Sequence, residues 1–332
     1  VADIDRGGVI ASLVGTWDLM TEEERACVRG YVINKFRGDV TLFDDAINII
    51  RDRTGMRCFG VVPHFAAACL LPAEDAVALD AGAGQKQTAR GRIRIAVPRL
   101  PRIANFDDLD PLNAEDGVEV VIVEAGAVIP ADADVILIPG SKATLSDLAA
   151  LRAEGWDIDI LAHHRRGGVV VGLCGGYQML GRTVADPDGV EGAAAAATAT
   201  ATVPGLGLLE VDTVIGAAKT LRPAAGRDTI FDQAITGYEM HMGETTGAGL
   251  ARPWLTLADG PDGAVSACGR VMGAYVHGLF AADDFRAAFL SALRAGDYAA
   301  ASHAARVEET LDALAEHLEA HLDMDGLDAA FA

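Results

Sequence analysis

Short apolar runs rich in Val and Ile alternate along this chain with stretches whose apolar residues recur every three or four positions. The runs read as buried strands and the spaced positions as amphipathic helices. Over residues 1–85 the pattern predicts a strand tail at 1–5, a helix at 9–19, a strand at 31–34, a helix at 42–53 and a strand at 58–62 ended by Pro63. Thr21 followed by Glu24 has the form of a capping box that starts a further short helix. This βαβ rhythm implies a parallel sheet. A second series follows, with strands at 93–97, 118–123, 135–138 and 168–172 and helices at 142–153, 158–166 and 177–181. Later strands fall near 207–214 and 271–276. Val307, Leu311, Leu314, Leu318 and Leu322 form one apolar stripe on a closing helix over 302–322, expected to pack on the second domain.

Between the two series, residues 79–92 lose their apolar positions and gather Gly, Gln and Lys, which marks a linker. The expected organisation is a first domain over 1–85, a linker over 86–92 and a second domain over 93–325. Residues 191–202 are low in complexity and too small to fill a core, so they read as a surface insertion. The chain opens on Val rather than Met, and we expect a further N-terminal portion before it.

Composition narrows the class. The chain has 332 residues, of which 51% are hydrophobic, and 37 are glycine. That suits a two-domain α/β protein. A net charge of −21 repels nucleic acid and anionic lipid, so neither is expected as a partner. The five cysteines are odd in number and lack a CxxC spacing, as in a reduced, cytoplasmic chain without a disulfide framework or zinc site. No apolar run approaches the ~18 residues of a membrane span.

The most specific chemistry lies at VVVGLCGGYQML, residues 169–180. An apolar strand ends in Gly172, Cys174 follows, and Gly175 and Gly176 lead into a helix, the pattern of a nucleophile elbow. A thiol there meets a helix N-terminus, which favours thiolate. The Gly175 amide is placed to stabilise an oxyanion. A buried cysteine capping a core strand is the plain alternative. Gly140, in the turn PGSK after a buried strand, offers a second backbone donor. His277 ends an apolar strand in a Gly-containing loop, as a base paired with a thiol requires. In GYEMHMG, Glu239 and His241 point one way from an extended segment.

Together GLCGGYQML, PGSK, GYEMHMG and YVHGLF resemble a class I, triad-type glutamine amidotransferase domain. DIDRGG, NKFRGD, GVVPH and LPAED, with RLPRIANF, are similar to the cobyric acid synthase branch of that family, whose ATP-dependent synthetase domain precedes the amidotransferase. The resemblance implies a P-loop-like parallel-sheet synthetase part followed by a flavodoxin-like amidotransferase domain. It implies Cys174 and His277 as the catalytic pair, with Gly140, Gly175, Gln178 and Glu239 around the oxyanion and glutamine. It implies ATP and Mg²⁺ in the first domain, with Asp3 or Asp5 on the metal and Asn34, Lys35, Glu74 and Asp75 as further ATP or substrate contacts. The implied partners are glutamine and adenosylcobyrinic acid a,c-diamide, amidated at its b, d, e and g carboxylates, with no tightly bound cofactor and room for a homo-oligomer.

Two departures matter. No GxxxxGK[ST] phosphate loop occurs in the chain. Leu279 stands where the wider superfamily has the Glu that completes its triad, which leaves the group orienting His277 open, with Glu239 as the candidate. Ala104 and Asp107 also replace the usual Ser and Thr. A sister enzyme such as cobyrinic acid a,c-diamide synthase, a non-catalytic ATPase-like binding module and a plain cysteine hydrolase are the competing readings.

Overall fold

Two parallel sheets organise the chain, one in each of two units: Val1–Leu71 with Ala305–Ala332, and Pro72–Ala304. The computed structural model describes residues 1–72, 92–191, 202–296, 298 and 302–332. Glu74 and Asp75, the linker up to residue 91 and the low-complexity stretch between 191 and 202 lie outside the described residues.

In the first unit, β1 (Ala2–Asp3), β2 (Tyr31–Phe36) and β3 (Cys58–Pro63) form a parallel sheet in the order β1-β2-β3. Tyr31, Ile33 and Phe36 of β2 are buried with Val9 of helix α1 (Val9–Leu19) and with Phe43, Ala46 and Ile50 around helix α3 (Asp44–Thr54). The capping box opens helix α2 (Glu22–Cys27): Glu24 N–H donates to the Thr21 hydroxyl, and Thr21 N–H donates to the Glu24 carboxylate at 2.7 Å. Gly55 stops α3 at φ 72°, where its N–H reaches the Arg51 carbonyl at 2.8 Å.

The tail departs from expectation. The apolar stripe of residues 307–322 predicts a helix on the second domain, and the helix exists as His303–His321. From Ala305 onward, however, it groups with the first unit. The reason is the open edge of β3. Asp323 N–H donates to the Phe59 carbonyl at 2.7 Å, His317 Nε2 lies 3.0 Å from the Pro63 carbonyl, and Leu322 bridges Gly60. A sheet edge left unpaired is a liability, and the tail covers this one.

The second unit is built on a six-stranded sheet. Strands β4 (Ile93–Pro98), β6 (Val118–Val123), β7 (Val135–Ile138), β9 (Val169–Leu173) and β17 (Val271–Ala274) run parallel, with β16 (Ala264–Val265) antiparallel at one edge, in the order β16-β17-β9-β7-β4-β6. Every residue of β7 is buried, which is why it reads as an unbroken apolar run. The short pair β5 (Ile103–Ala104) and β8 (Gly140–Ser141) lies on the loops at the carboxyl ends of these strands. Helices α4 (Asp110–Asn113), α5 (Thr144–Ala153), α6 (Trp156–Arg165), α7 (Gly175–Leu180) and α8 (Asp283–Leu293) complete the series.

A second sheet in this unit is less visible in the sequence. Its main hairpin pairs β12 (Asp212–Asp228) with β13 (Ala234–Thr246), strands of 17 and 13 residues. The sequence predicts only a strand near 207–214, because AAKTLRPAAG lacks the alternation of a half-buried strand. β10 (Thr183–Ala185), β11 (Val203–Pro204), β14 (Leu255–Leu257) and β15 (Gly260–Asp262) belong to the same sheet, and β18 (Val276–His277) joins it beside β13.

Glycines at the junction of β9 and α7 carry a stability prediction. A Cβ on Gly176 would overlap the Ile138 carbonyl oxygen, whereas one on Gly15 in α1 meets nothing. Gly176→Ala should therefore lower the unfolding temperature, at a cost of about 3 kcal/mol. Gly15→Ala should raise stability by roughly 0.5–1 kcal/mol through helix propensity. Thermal unfolding followed by circular dichroism separates the two, and a neutral Gly176→Ala would refute the close packing described.

Candidate active site

The chain reverses direction at one residue. β9 ends at Leu173, α7 begins at Gly175, and Cys174 between them adopts φ 49° and ψ −108°. For a residue with a side chain that region is strained, and it persists only where the surroundings impose it. Here Cys174 N–H donates to the Ala274 carbonyl of β17 at 2.9 Å, and its carbonyl accepts from Gln178 N–H at 3.1 Å. Close approach on either side requires glycine. A Cβ on Gly172 would sit 2.6 Å from Leu180 Cδ1, and one on Gly175 would sit 2.9 Å from Ser141 Cβ. The half-buried thiol points toward β13, donating to the Met240 carbonyl at 3.2 Å.

His277 arrives from β18, whose register sets it opposite Tyr238 of β13. The two rings stack with centroids 5.4 Å apart. The imidazole is 1% exposed, and its Nδ1 lies 2.7 Å from Asp108 Oδ2. The other carboxylate oxygen of Asp108 accepts from Gly278 N–H at 2.6 Å, so a single side chain holds both the ring and the backbone after it. Burial pushes the His277 pKa down, but the hydrogen bond and charge of Asp108, joined by the Cys174 thiol, outweigh it and carry it up to about 10.

Asp108 belongs to an acidic turn. Asn105, at φ 51°, enters a 3-10 turn at Phe106–Leu109 and donates to the Tyr238 hydroxyl at 3.1 Å. Asp107 is raised by burial and by Asp108, and Asp110 is pushed up to about 7 by burial, Asp107 and Asp108.

The sequence points to Glu239 as the group behind His277, and this is corrected. Glu239 pairs across the hairpin with Arg222, which also meets Asp259 at 3.0 Å, so its charge is spent on the β12–β13 pair. Asp108 takes the place beside the ring, and Leu279, where the superfamily has Glu, is wholly buried. Only one signal marked Asp108 beforehand: it is an acid between Phe106 and Leu109, both core residues, in a segment where a free carboxylate has no solvent to face.

Gln178, expected to contact glutamine, is buried with both ends engaged. Its oxygen accepts from the Thr144 hydroxyl at 2.8 Å, and its nitrogen donates to the Met242 carbonyl at 3.0 Å and to the Tyr275 hydroxyl at 3.3 Å. It braces α7 against the start of α5, against β13 and against Tyr275, the residue after β17. Gly140 pairs with Ala104 in β5–β8 rather than opening a free turn, and a Cβ there would sit 3.2 Å from His277 Cε1. Gly175 opens α7, where its N–H has no intrahelical acceptor. His241 stacks on Tyr275 at 3.8 Å, and burial lowers its pKa.

In the first unit Asp3, Asp5, Asn34 and Lys35 gather at the carboxyl ends of β1 and β2. Asp3 pairs with Lys35 at 2.8 Å, and Asp5 binds Arg37 through both oxygens at 2.9 and 3.0 Å. The Asn34 side-chain oxygen accepts from Lys35 N–H at 2.8 Å. These carboxylates are neutralised by basic partners, and among the described residues no group of three or more His, Cys, Asp or Glu is arranged to hold a metal. As arranged, Asp3 and Asp5 face Lys35 and Arg37 rather than a magnesium ion.

Residues 94–285 match the model of the CobB/CobQ-like glutamine amidotransferase domain. Over 98% of its length the chain is 57% identical to a cobyric acid synthase of Methylorubrum populi and 53% identical to one of Cereibacter sphaeroides. The chain spans 65% of the length of each of these relatives. Among solved structures, PurLQS from Thermotoga maritima matches 67% of this chain and 99% of its own at 16% identity, with a TM-score of 0.43.

Replacing Asp108 by Asn tests the electrostatics. The buried ring then loses the carboxylate that raised its pKa, so the value should drop from about 10 to the ordinary ~6.5 or below. In the unaltered protein a raised pKa means that the stability from this pair is full below about pH 6.5 and is lost as pH climbs through about 10. Histidine-selective NMR titration reads the shift, and an unmoved His277 resonance would deny Asp108 this role.

Proposed function

The chain belongs to the CobB/CobQ-like glutamine amidotransferase family, and we propose that Cys174 is its glutaminase nucleophile, with His277 as acid–base and Asp108 orienting the imidazole. The observation that carries this reading is the convergence of a strained elbow thiol with a buried His–Asp pair. With Nδ1 held by Asp108, Nε2 is left to exchange a proton with the thiol. Sulfur attacks the carboxamide carbon of glutamine, and the Gly175 amide donates to the tetrahedral oxyanion. Gly140 is tied into β5–β8, so the proposal leans on Gly175 for that role. A donor of this kind is typically worth about 10²–10³ in rate. The imidazolium returns its proton to the leaving nitrogen, ammonia departs, and water cleaves the glutamyl thioester to glutamate.

For the whole protein we infer a cobyric acid synthase. In that reading the ammonia amidates the b, d, e and g carboxylates of adenosylcobyrinic acid a,c-diamide at the expense of ATP. The identity to curated synthases across nearly the whole chain supports it. The first unit would then contribute to the ATP-dependent part. Its Asp3 and Asp5 are the residues that would hold Mg²⁺ there, in exchange for the ion pairs they make with Lys35 and Arg37.

Labelling with 6-diazo-5-oxonorleucine, a glutamine-mimicking electrophile, tests the glutaminase. We expect adduct on Cys174 and not on Cys27, Cys58, Cys69 or Cys268, with glutamine protecting, and Cys174→Ser should abolish glutamine hydrolysis by at least ~10³-fold. No adduct on Cys174 would leave a binding module that keeps the elbow as structure. Transfer of amide nitrogen from glutamine to the a,c-diamide, but not to the unamidated acid, separates the synthase from its diamide-forming relative.

A further inference from the structure

The pair behind the thiol rests on a second, buried ion pair that the glutaminase reading leaves unused. Arg286 of α8 is 2% exposed and fully engaged. Its Nε donates to Glu115 Oε1 at 2.7 Å, its Nη1 to the Phe280 carbonyl at 2.7 Å and its Nη2 to Asp283 at 2.8 Å. Glu115 is itself buried and lies just beyond α4, the helix that continues the turn bearing Asp108. Phe280 lies in the 3-10 turn that follows His277 and Gly278. One guanidinium therefore fastens together the two segments that Asp108 also joins through His277 and Gly278. A planar fork with several fixed donors suits this task and an ammonium does not.

We propose that Arg286 is a positioning residue that sets the distance between His277 and Asp108 by clamping the Phe280 carbonyl to Glu115. A buried charge left without its partner is costly, so the clamp holds only when both members are present. The proposal rests on the reading of His277 and Asp108 as the acid–base pair. The charged and titratable groups around His277 are Asp108 and Asp107 from the 3-10 turn, Cys174 from the elbow, and Tyr238 and His241 from β13. Arg286 reaches none of their side chains directly among its hydrogen bonds.

The test is Arg286→Lys in the intact protein, with Glu115→Gln as an isosteric variant should the first fail to fold. Both keep a hydrogen-bonding group at the position and weaken the clamp. We expect kcat for glutamine hydrolysis to fall about tenfold with KM within about twofold, as displacement of a reacting group does. The high-pH limb of the rate profile and the His277 NMR titration should both move down by about one unit. A lower melting temperature with an unmoved His277 titration would make Arg286 a structural staple and overturn the proposal. Because the titration needs no turnover, absence of glutaminase in the unaltered protein would strike the reading of Cys174 and leave this inference to be decided separately.

Discussion

The site depends on one close approach, that of the Gly176 backbone to the carbonyl of Ile138 at the end of β7. It brings α7 tight against the parallel sheet, and Cys174 is left between strand and helix in a conformation that a residue with a side chain rarely holds. The energy for that strain comes from the sheet. β7, β9 and β17 are buried throughout or nearly so, and Cys174 N–H is tied to the last residue of β17. A parallel sheet exposes its carboxyl-terminal loops along one edge, so the 3-10 turn of Asp108 after β4 and the elbow after β9 open at the same end. His277, three residues beyond β17, comes to that end as well and is steadied there by β13.

Electrostatics then follows from burial. An imidazole with 1% exposure is an unfavourable place for a charge, and by itself would be neutral. A carboxylate fixed by the Gly278 amide cannot swing away, so its attraction is applied at one distance and one angle. Pre-set geometry of this kind costs little reorganisation at the moment of reaction. It also accounts for an apolar residue at 279: with the carboxylate supplied from the β4 side, a second one from the His loop would add a like charge to an already acidic turn.

Much of the fold was legible because parallel strands covered on both faces leave unbroken apolar runs. Residues 135–138 match β7 in this way, and 118–123 match the edge strand β6, where only Glu119 interrupts the run. Cys174 and His277 stood out because local rules govern them: glycines around a tight turn and a strand ending in a loop. Asp108, Arg286 and Glu115 did not, since each acquires its meaning from a partner more than 160 positions away, as the separations of 169 and 171 residues for their contacts attest. The long hairpin escaped for another reason. Its strand β12 carries Ala, Gly and Pro223 where alternation would have marked it, and its partner β13 supplies the pairing that propensity does not. The tail helix was visible as a helix, but the carbonyls of β3 that claim it were not.

That tail has a consequence for how the molecule is made. The first unit is closed by residues 305–332, which a ribosome delivers only after the whole of Pro72–Ala304. At about 5–20 residues per second, β3 emerges with its edge bare and waits on the order of tens of seconds for its cover. Throughout that interval the second unit, whose strands are contiguous in the chain, is free to finish first. Of these two sheets, the one whose strands emerge first is therefore the one sealed last, and until then its β3 edge stands open to pairing with another chain.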